Sequence, residues 1–314
     1  MPEIGIGNKP IDGGHYLFTP QEKTEFLLKE PAAAPYFRPW IGADEFINGY
    51  ERWCLWLGDC PPEQLRAMPE AMKRVQEVRD VRLASNSPPT QKLAETPTRF
   101  HVENMPTTPY LVLPEVSSER RLFIPFGYEQ PETLASNLVK IASNATLYHF
   151  GILTSTMHNA WVRSVCGRLE SRYRYSASIV YNNFPWPEIP SSPALPSLAR
   201  EGSKSPSPAG GRGGGEREKI GMKEKIEAAA QAVLDARTAH PGATLADLYD
   251  PLTMPPNLLR AHQALDKAVD AAYGYKGAAT DAARVAFLFE RYQQLTSLLP
   301  ATESPKRRAS RKKS

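Results

Sequence analysis

The strongest constraint on how this chain folds is a double change of pattern within residues 144–188. That stretch holds Trp161, Trp186, His149 and His158, and between Arg163 and Arg174 it sets Arg163, Arg168, Arg172 and Arg174 against the single acid Glu170. Residues 145–153 are dense in β-branched and aromatic side chains and predict a buried strand, with Thr154 and Ser155 as candidate N-caps behind it. Met157, Ala160, Trp161 and Val165 then fall at helical spacing, and Gly167 stops that helix. Residues 172–183 alternate Arg and Tyr and predict a second strand. Phe184, Pro185, Trp186 and Pro187 continue neither element, because proline lacks the amide and restricts the residue before it.

The flanking sequence extends this pattern. Thr19 and Pro20 stand as N-cap and first residue of a helix over 21–29. Asn48-Gly49 predicts a hairpin leading into a strand over 50–57. Over 63–84, Leu65, Met68, Met72, Val75, Val78 and Val81 form one apolar stripe that Pro69 restarts. The opposite face carries Lys73, Arg74, Arg79 and Arg82, either as a solvated surface or as a phosphate-facing one. Prolines separate short strands over 100–102, 110–114, 121–126 and 138–142. Three helical segments follow, over 222–239, from Pro255-Pro256 to Tyr273, and over 281–298, with a short turn at 245–249. The fold class expected is α+β: a mixed, Pro-interrupted β domain with a buried helix, followed by a small all-α C-terminal domain.

Three cysteines, Cys54, Cys60 and Cys166, form no CxxC pair and predict reduced thiols in a cytoplasmic protein. No run approaches the roughly 20 apolar residues that span a bilayer, so no membrane partner is expected. The net charge of +4 owes six positives to Lys306, Arg307, Arg308, Arg311, Lys312 and Lys313; the rest of the chain is slightly acidic. Nucleic-acid binding would therefore depend on where the positive charges cluster.

The one loop with base-reading chemistry is Val116-Ser117-Ser118-Glu119-Arg120-Arg121. Arginine reads guanine bidentately, glutamate accepts from cytosine, and serine serves either a base edge or a phosphate; an ordinary polar turn explains the same residues equally well. Reaction chemistry is harder to find. Ser87-Pro88-Pro89-Thr90 lacks the aromatic of a base-flipping methyltransferase loop, and Asn183-Phe184-Pro185-Trp186 and Met254-Pro255-Pro256-Asn257 have the wrong order. Gly5, Gly7, Gly13 and Gly14 are broken by Pro10 and do not open a helix as a phosphate cradle does. His149 and His158 are not spaced as a metal pair, and Ser155, His158 and Cys166 lack an orienting carboxylate.

GILTSTMHNAWVR, CGRLESRYRYS and IVYNNFPWPE resemble the target-recognition region of MmeI-like class I (type IIG restriction-modification) DNA methyltransferases. GGHYLFTPQEK, RPWIGADEFING, RWCLWL, KLAETPT, VSSERR and DLYDPLTMPP extend the resemblance across nearly the whole chain, in the family's order and confined to its C-terminal half. The resemblance implies a trailing edge of a missing methyltransferase domain over 1–35, a DNA target-recognition domain over 36–190, a disordered linker over 191–221, a helical domain over 222–300 and a basic disordered tail over 301–314. It implies the sequence-specific recognition part of an S-adenosylmethionine-dependent adenine-N6 methyltransferase, truncated and inactive alone, with no cofactor in this chain. Double-stranded DNA is the implied partner, beside a separately encoded methyltransferase domain. The implied base contacts are Ser117, Ser118, Glu119, Arg120 and Arg121; the implied phosphate contacts are Lys92, Arg99, Arg163, Arg172 and Arg174. A stand-alone DNA-binding module and a non-functional remnant are the alternatives.

Overall fold

The computed structural model describes residues 1–188 and 213–297. The expected tail over 301–314 and most of the expected linker lie outside them. Within that range the chain is mixed α and β, with a β-rich first part and a helical last part.

Three small sheets organise the first part. Tyr110–Pro114, a fully buried strand, lies between Val139–Ser143 and Gly127–Glu129, and Ile4–Ile6 closes the far edge in antiparallel register. A second sheet orders Leu17–Phe18, Trp53–Leu55, Phe37–Ile41 and Leu134–Ala135, with the last pair parallel. A three-stranded ribbon of Gly167–Leu169, Arg172–Arg174 and Val116–Ser117 completes the set. Ile4–Ile6 and Leu17–Phe18 are thus strands of the recognition sheets. Residues 1–35 thus contribute strands to the same sheets as the residues that follow them.

Local signals explain several elements. Thr19 caps helix Pro20–Lys29 with a reciprocal box: its side chain accepts the Glu22 amide at 3.2 Å, and its own amide donates to Glu22 Oε2 at 2.7 Å. Ser155 accepts from the His158 amide and starts helix Thr156–Val165, which buries Met157 and Trp161 as the spacing predicts. The strand expected over 145–153 is instead helix Leu147–Thr154, capped by Thr146 with His149. An apolar run of that length carries no period of its own, so only the cap distinguishes the two outcomes. Asn48-Gly49 ends helix Ala43–Asn48, with Gly49 at φ 71°; the left-handed glycine that closes a hairpin also closes a helix. The long Arg/Tyr strand is confined to Arg172–Arg174, and a π-helical turn, Ala177–Tyr181, follows. No strand forms over 100–102 or 121–126. The helix expected from Met222 starts earlier, at Gly213, so residues 213–221 belong to it.

Arg82 departs furthest from expectation. Placed on a solvated basic face by its spacing, it is 0% exposed. Its guanidinium donates to the carbonyls of Pro10, Ile11, Leu93, Thr96 and Arg99 at 2.7–3.0 Å. The Leu93 and Thr96 carbonyls also accept backbone amides, those of Thr96 and Arg99, so the guanidinium ties the segment over 93–99 to the Pro10–Ile11 loop from the inside.

The two parts share one core. Leu111, Phe126, Phe150, Ile152 and Trp161 cluster with Ile226, Ala230, Val233, Leu265, Val269 and Leu288 from the C-terminal helices. A separate cluster around Phe18, Phe37, Trp40, Trp56 and Phe100 fills the N-terminal part. Helix Leu147–Thr154 meets helix Gly213–Thr238 closely: a Cβ at Gly151 would stand 2.8 Å from Ile226 Cγ2 and 3.2 Å from Ala230 Cβ.

Buried histidines give this core a pH signature. His158 is 0% exposed and bonded to the Tyr175 hydroxyl, and burial holds its pKa down to about 3. His262 is also 0% exposed; burial, and then the Arg237 charge, push its pKa well down. Each binds its proton in the unfolded chain near pH 6.5 but not in the fold, so stability is full above that value and falls as pH decreases through it. At pH 5.5 both histidines therefore work against the fold, and a melting midpoint several degrees below that at pH 7.5 is expected. Calorimetry across that range checks it; a flat profile would mean the imidazoles charge inside the fold.

Candidate nucleic-acid interface

A cleft of about 650 Å³ opens between helix Ala43–Asn48 and the three-stranded ribbon. Ser117, Ser118 and Arg121 reach it from the Val116 loop, and Arg172 and Arg174 from the ribbon; Arg52, Asp44 and Glu45 line the opposite wall. The Arg-Tyr-Arg alternation creates this geometry. Arg172 and Arg174 are exposed, while Tyr173 points inward at 6% exposure and Tyr175 packs in the core at 1%. Register pairs Tyr173 with Ser117 and Arg174 with Val116, so the ribbon places its arginines beside the serine loop. The turn joining Gly167–Leu169 to Arg172–Arg174 puts Glu170 at φ 57° without a Gly or Asn to mark it, and nothing in the sequence signals that hairpin.

Glu115 anchors the cationic side. Its carboxylate accepts from Lys140 Nζ at 2.9 Å and Arg174 Nε at 3.0 Å. Burial pushes this carboxyl up, but the two cationic hydrogen bonds outweigh it and hold the group below the usual glutamate value. Sequence reasoning missed Glu115, because its partners stand far from it in the chain. On the opposite wall Arg52 pairs with Glu45 at 3.3 Å, and on the ribbon itself Arg172 pairs with Glu170 at 2.9 Å. Burial pulls the Arg121 guanidinium below its ordinary value, and Asp250 of the C-terminal part acts in the other direction. Ser117 is 3% exposed and its hydroxyl has no hydrogen-bond partner, a cost of about 1–3 kcal/mol for a buried polar group unless a ligand relieves it.

The remaining expected contacts are dispersed. Glu119 and Arg120 belong to the loop but do not line the cleft. Lys92 is exposed at the end of helix Pro88–Lys92. Arg99 pairs with Glu103 at 2.9 Å, and Arg163 with Asp281 at 2.7 Å. None of these three lines the cleft.

Residues 1–188 match the family model for the MmeI target recognition domain. The chain belongs to that family. Residues 219–300 match the MmeI C-terminal domain, so the two matched units meet in the single core described above. A solved structure of the Type IIL restriction-modification enzyme MmeI in complex with DNA is similar at 46% identity and TM-score 0.83, over 95% of this chain and 36% of that one. DNA methyltransferase A of Bacillus subtilis (strain 168) is 38% identical over 296 residues, covering 94% of this chain and 30% of the relative. The chain thus spans about a third of the length of the relatives it matches.

In this MmeI-family chain Gly7, Gly13 and Gly14 do not form a phosphate-cradling turn onto a helix. A Cβ at Gly7 would stand 2.3 Å from the Ser136 carbonyl, so that glycine permits strand contact rather than a cofactor cradle. Gly13 and Gly14 have φ of 64° and 85° in a turn that leads to strand Leu17–Phe18, not to a helix. Among the described residues no helix is long and apolar enough to cross a membrane.

Proposed function

We propose that this chain recognises double-stranded DNA for an S-adenosylmethionine-dependent adenine-N6 methyltransferase of a restriction-modification system. Cofactor binding and methyl transfer belong, in this reading, to a methyltransferase domain outside residues 1–314. The observation that carries the proposal is the cleft itself, where Ser117, Ser118 and Arg121 meet Arg172 and Arg174 in a fold shared with an enzyme solved on DNA. Ser117, Ser118, Glu119, Arg120 and Arg121 would read base edges, with the buried Ser117 hydroxyl finding its partner there. Arg172 and Arg174 would hold phosphates from the ribbon edge, fixing the register in which the loop reads. Glu115 would keep Arg174 extended in the free protein and yield it to a phosphate.

Anisotropy titration of a labelled random-sequence duplex at several salt concentrations tests this. Reversing Arg172→Glu and Arg174→Glu together is expected to weaken binding by roughly 10–100-fold and to flatten the logarithmic salt slope by about two. Unchanged affinity and slope would remove the phosphate role. Absence of any duplex binding by the wild-type chain would overturn the reading as a whole. Joining the chain to a catalytic domain and measuring adenine methylation then separates a methyltransferase component from a stand-alone binding module.

A further inference from the structure

The loop that carries Ser118–Arg121 continues to residue 126 without forming a strand or helix, and its shape is held from outside. Leu122 offers its carbonyl to Arg163 Nη1 at 3.1 Å, and Arg163 is in turn gripped by Asp281 at 2.7 and 3.4 Å. The Phe123 ring lies flat on the His262 imidazole, centroids 4.0 Å apart and 20° between planes. The Ile124 amide donates to Asn159 Oδ1 at 2.9 Å, and the Phe126 carbonyl accepts from Arg237 Nη1 at 2.7 Å. Asp281, His262 and Arg237 all belong to the C-terminal helices.

These three supports are chemically linked. Arg237 also donates through Nε and Nη2 to the Tyr249 hydroxyl, at 2.8 and 2.6 Å, and that hydroxyl lies 2.8 Å from His262 Nε2. The guanidinium can only donate, so the Tyr249 oxygen accepts from it and directs its own proton to His262 Nε2. His262 is therefore the neutral tautomer with its proton on Nδ1, which has no partner. A neutral ring keeps this buried stack with Phe123 free of a desolvated charge. The same helices reach the other wall of the cleft, where Thr244 Cγ2 stands 3.3 Å from the Cβ position of Gly49 at the end of helix Ala43–Asn48.

We propose that the C-terminal helical part is the template of the reading loop: Arg237, His262 and Asp281 are positioning residues that set base discrimination without touching the duplex. This rests on the duplex-recognition reading above. It assigns to the helices a task that their own surface does not display, since each support faces the protein interior or an ion pair.

Two variants of the full chain, Arg237→Met and Asp281→Asn, test it by two readouts. Asp281 is 46% exposed at its side chain, so its variant keeps the test open even if Arg237→Met folds poorly. Hydrogen exchange of residues 118–126 in the free protein is expected to rise by roughly tenfold in each variant, while the strand Tyr110–Pro114 keeps its protection. Selection from a random duplex pool is expected to recover a defined sequence with the wild type and a flattened preference with the variants. The salt slope of Arg237→Met stays at the wild-type value, because Arg172 and Arg174 are untouched. Unchanged loop exchange overturns the bracing. Faster exchange with an unchanged selected sequence overturns the link from loop shape to reading. If the wild type itself selects nothing, the duplex reading fails, and the exchange comparison still decides whether the helices hold the loop.

Discussion

Replacing Arg82 with methionine is expected to lower the unfolding free energy by about 3–5 kcal/mol, the range for removing one partner from a buried charged network. The aliphatic stem is kept, so the change isolates the guanidinium. What it removes is the sole bridge between the carbonyls of Pro10 and Ile11 and those of Leu93, Thr96 and Arg99. Leu93 and Thr96 keep one backbone amide each, but the carbonyls of Pro10, Ile11 and Arg99 are then left facing a hydrocarbon where the side chain is 0% exposed. Lysine is not expected to rescue, because three protons on one nitrogen cannot satisfy five acceptors spread around a planar fork. The measurement is urea unfolding of wild type, Arg82→Met and Arg82→Lys. A loss under about 1 kcal/mol for methionine would show that water enters and serves the carbonyls instead.

Gly151→Val is expected to destabilise by about 1–3 kcal/mol, as overpacking does in a closed core. Gly151 lies in helix Leu147–Thr154, where glycine is normally unfavourable by about 1 kcal/mol relative to alanine. Its position against Ile226 Cγ2 at 2.8 Å and Leu265 Cδ1 at 3.3 Å explains its presence: two helices approach there more closely than any side chain permits. Alanine carries the same Cβ clash with Ile226 Cγ2 and should also destabilise, but less than valine, because its helix preference offsets part of the cost. The decisive comparison is the double variant Gly151→Val with Ile226→Ala, which returns the space and should recover part of the loss. Full additivity of the two changes would mean that they do not share a contact.

The sequence was most legible where a signal is local. Thr19 and Pro20 announce a helix start within two residues, and Tyr110–Pro114 forms as one of the short strands that prolines set apart. It was misleading where one signal serves two structures. Asn48-Gly49 fits a hairpin and a helix end alike, and residues 145–153 are apolar enough for a buried strand or a buried helix. Arg82 was hidden because helical spacing gave it the same face as Lys73 and Arg79, and only the loops brought over it by the tertiary fold make it interior. The cleft was half legible. Ser117, Ser118, Arg121, Arg172 and Arg174 meet in it, but Glu115 and Arg52 enter it, and Asp250 acts on Arg121, through contacts between distant segments that no spacing encodes.

The single core beneath residues 1–188 and the C-terminal helices also bears on how such proteins diverge. Phe150 and Ile152 from one matched unit interdigitate with Val233, Leu265 and Leu288 from the other, and Arg237 closes over Phe126 across the same seam. A recombination event that exchanged only the β-rich unit between two family members would mismatch this seam and scatter the loop that rests on it. Inheritance of a new specificity by transfer should therefore proceed in blocks that carry both units together. Within a block, change should accumulate at Ser118, Glu119 and Arg120, whose side chains can alter without disturbing the helices below.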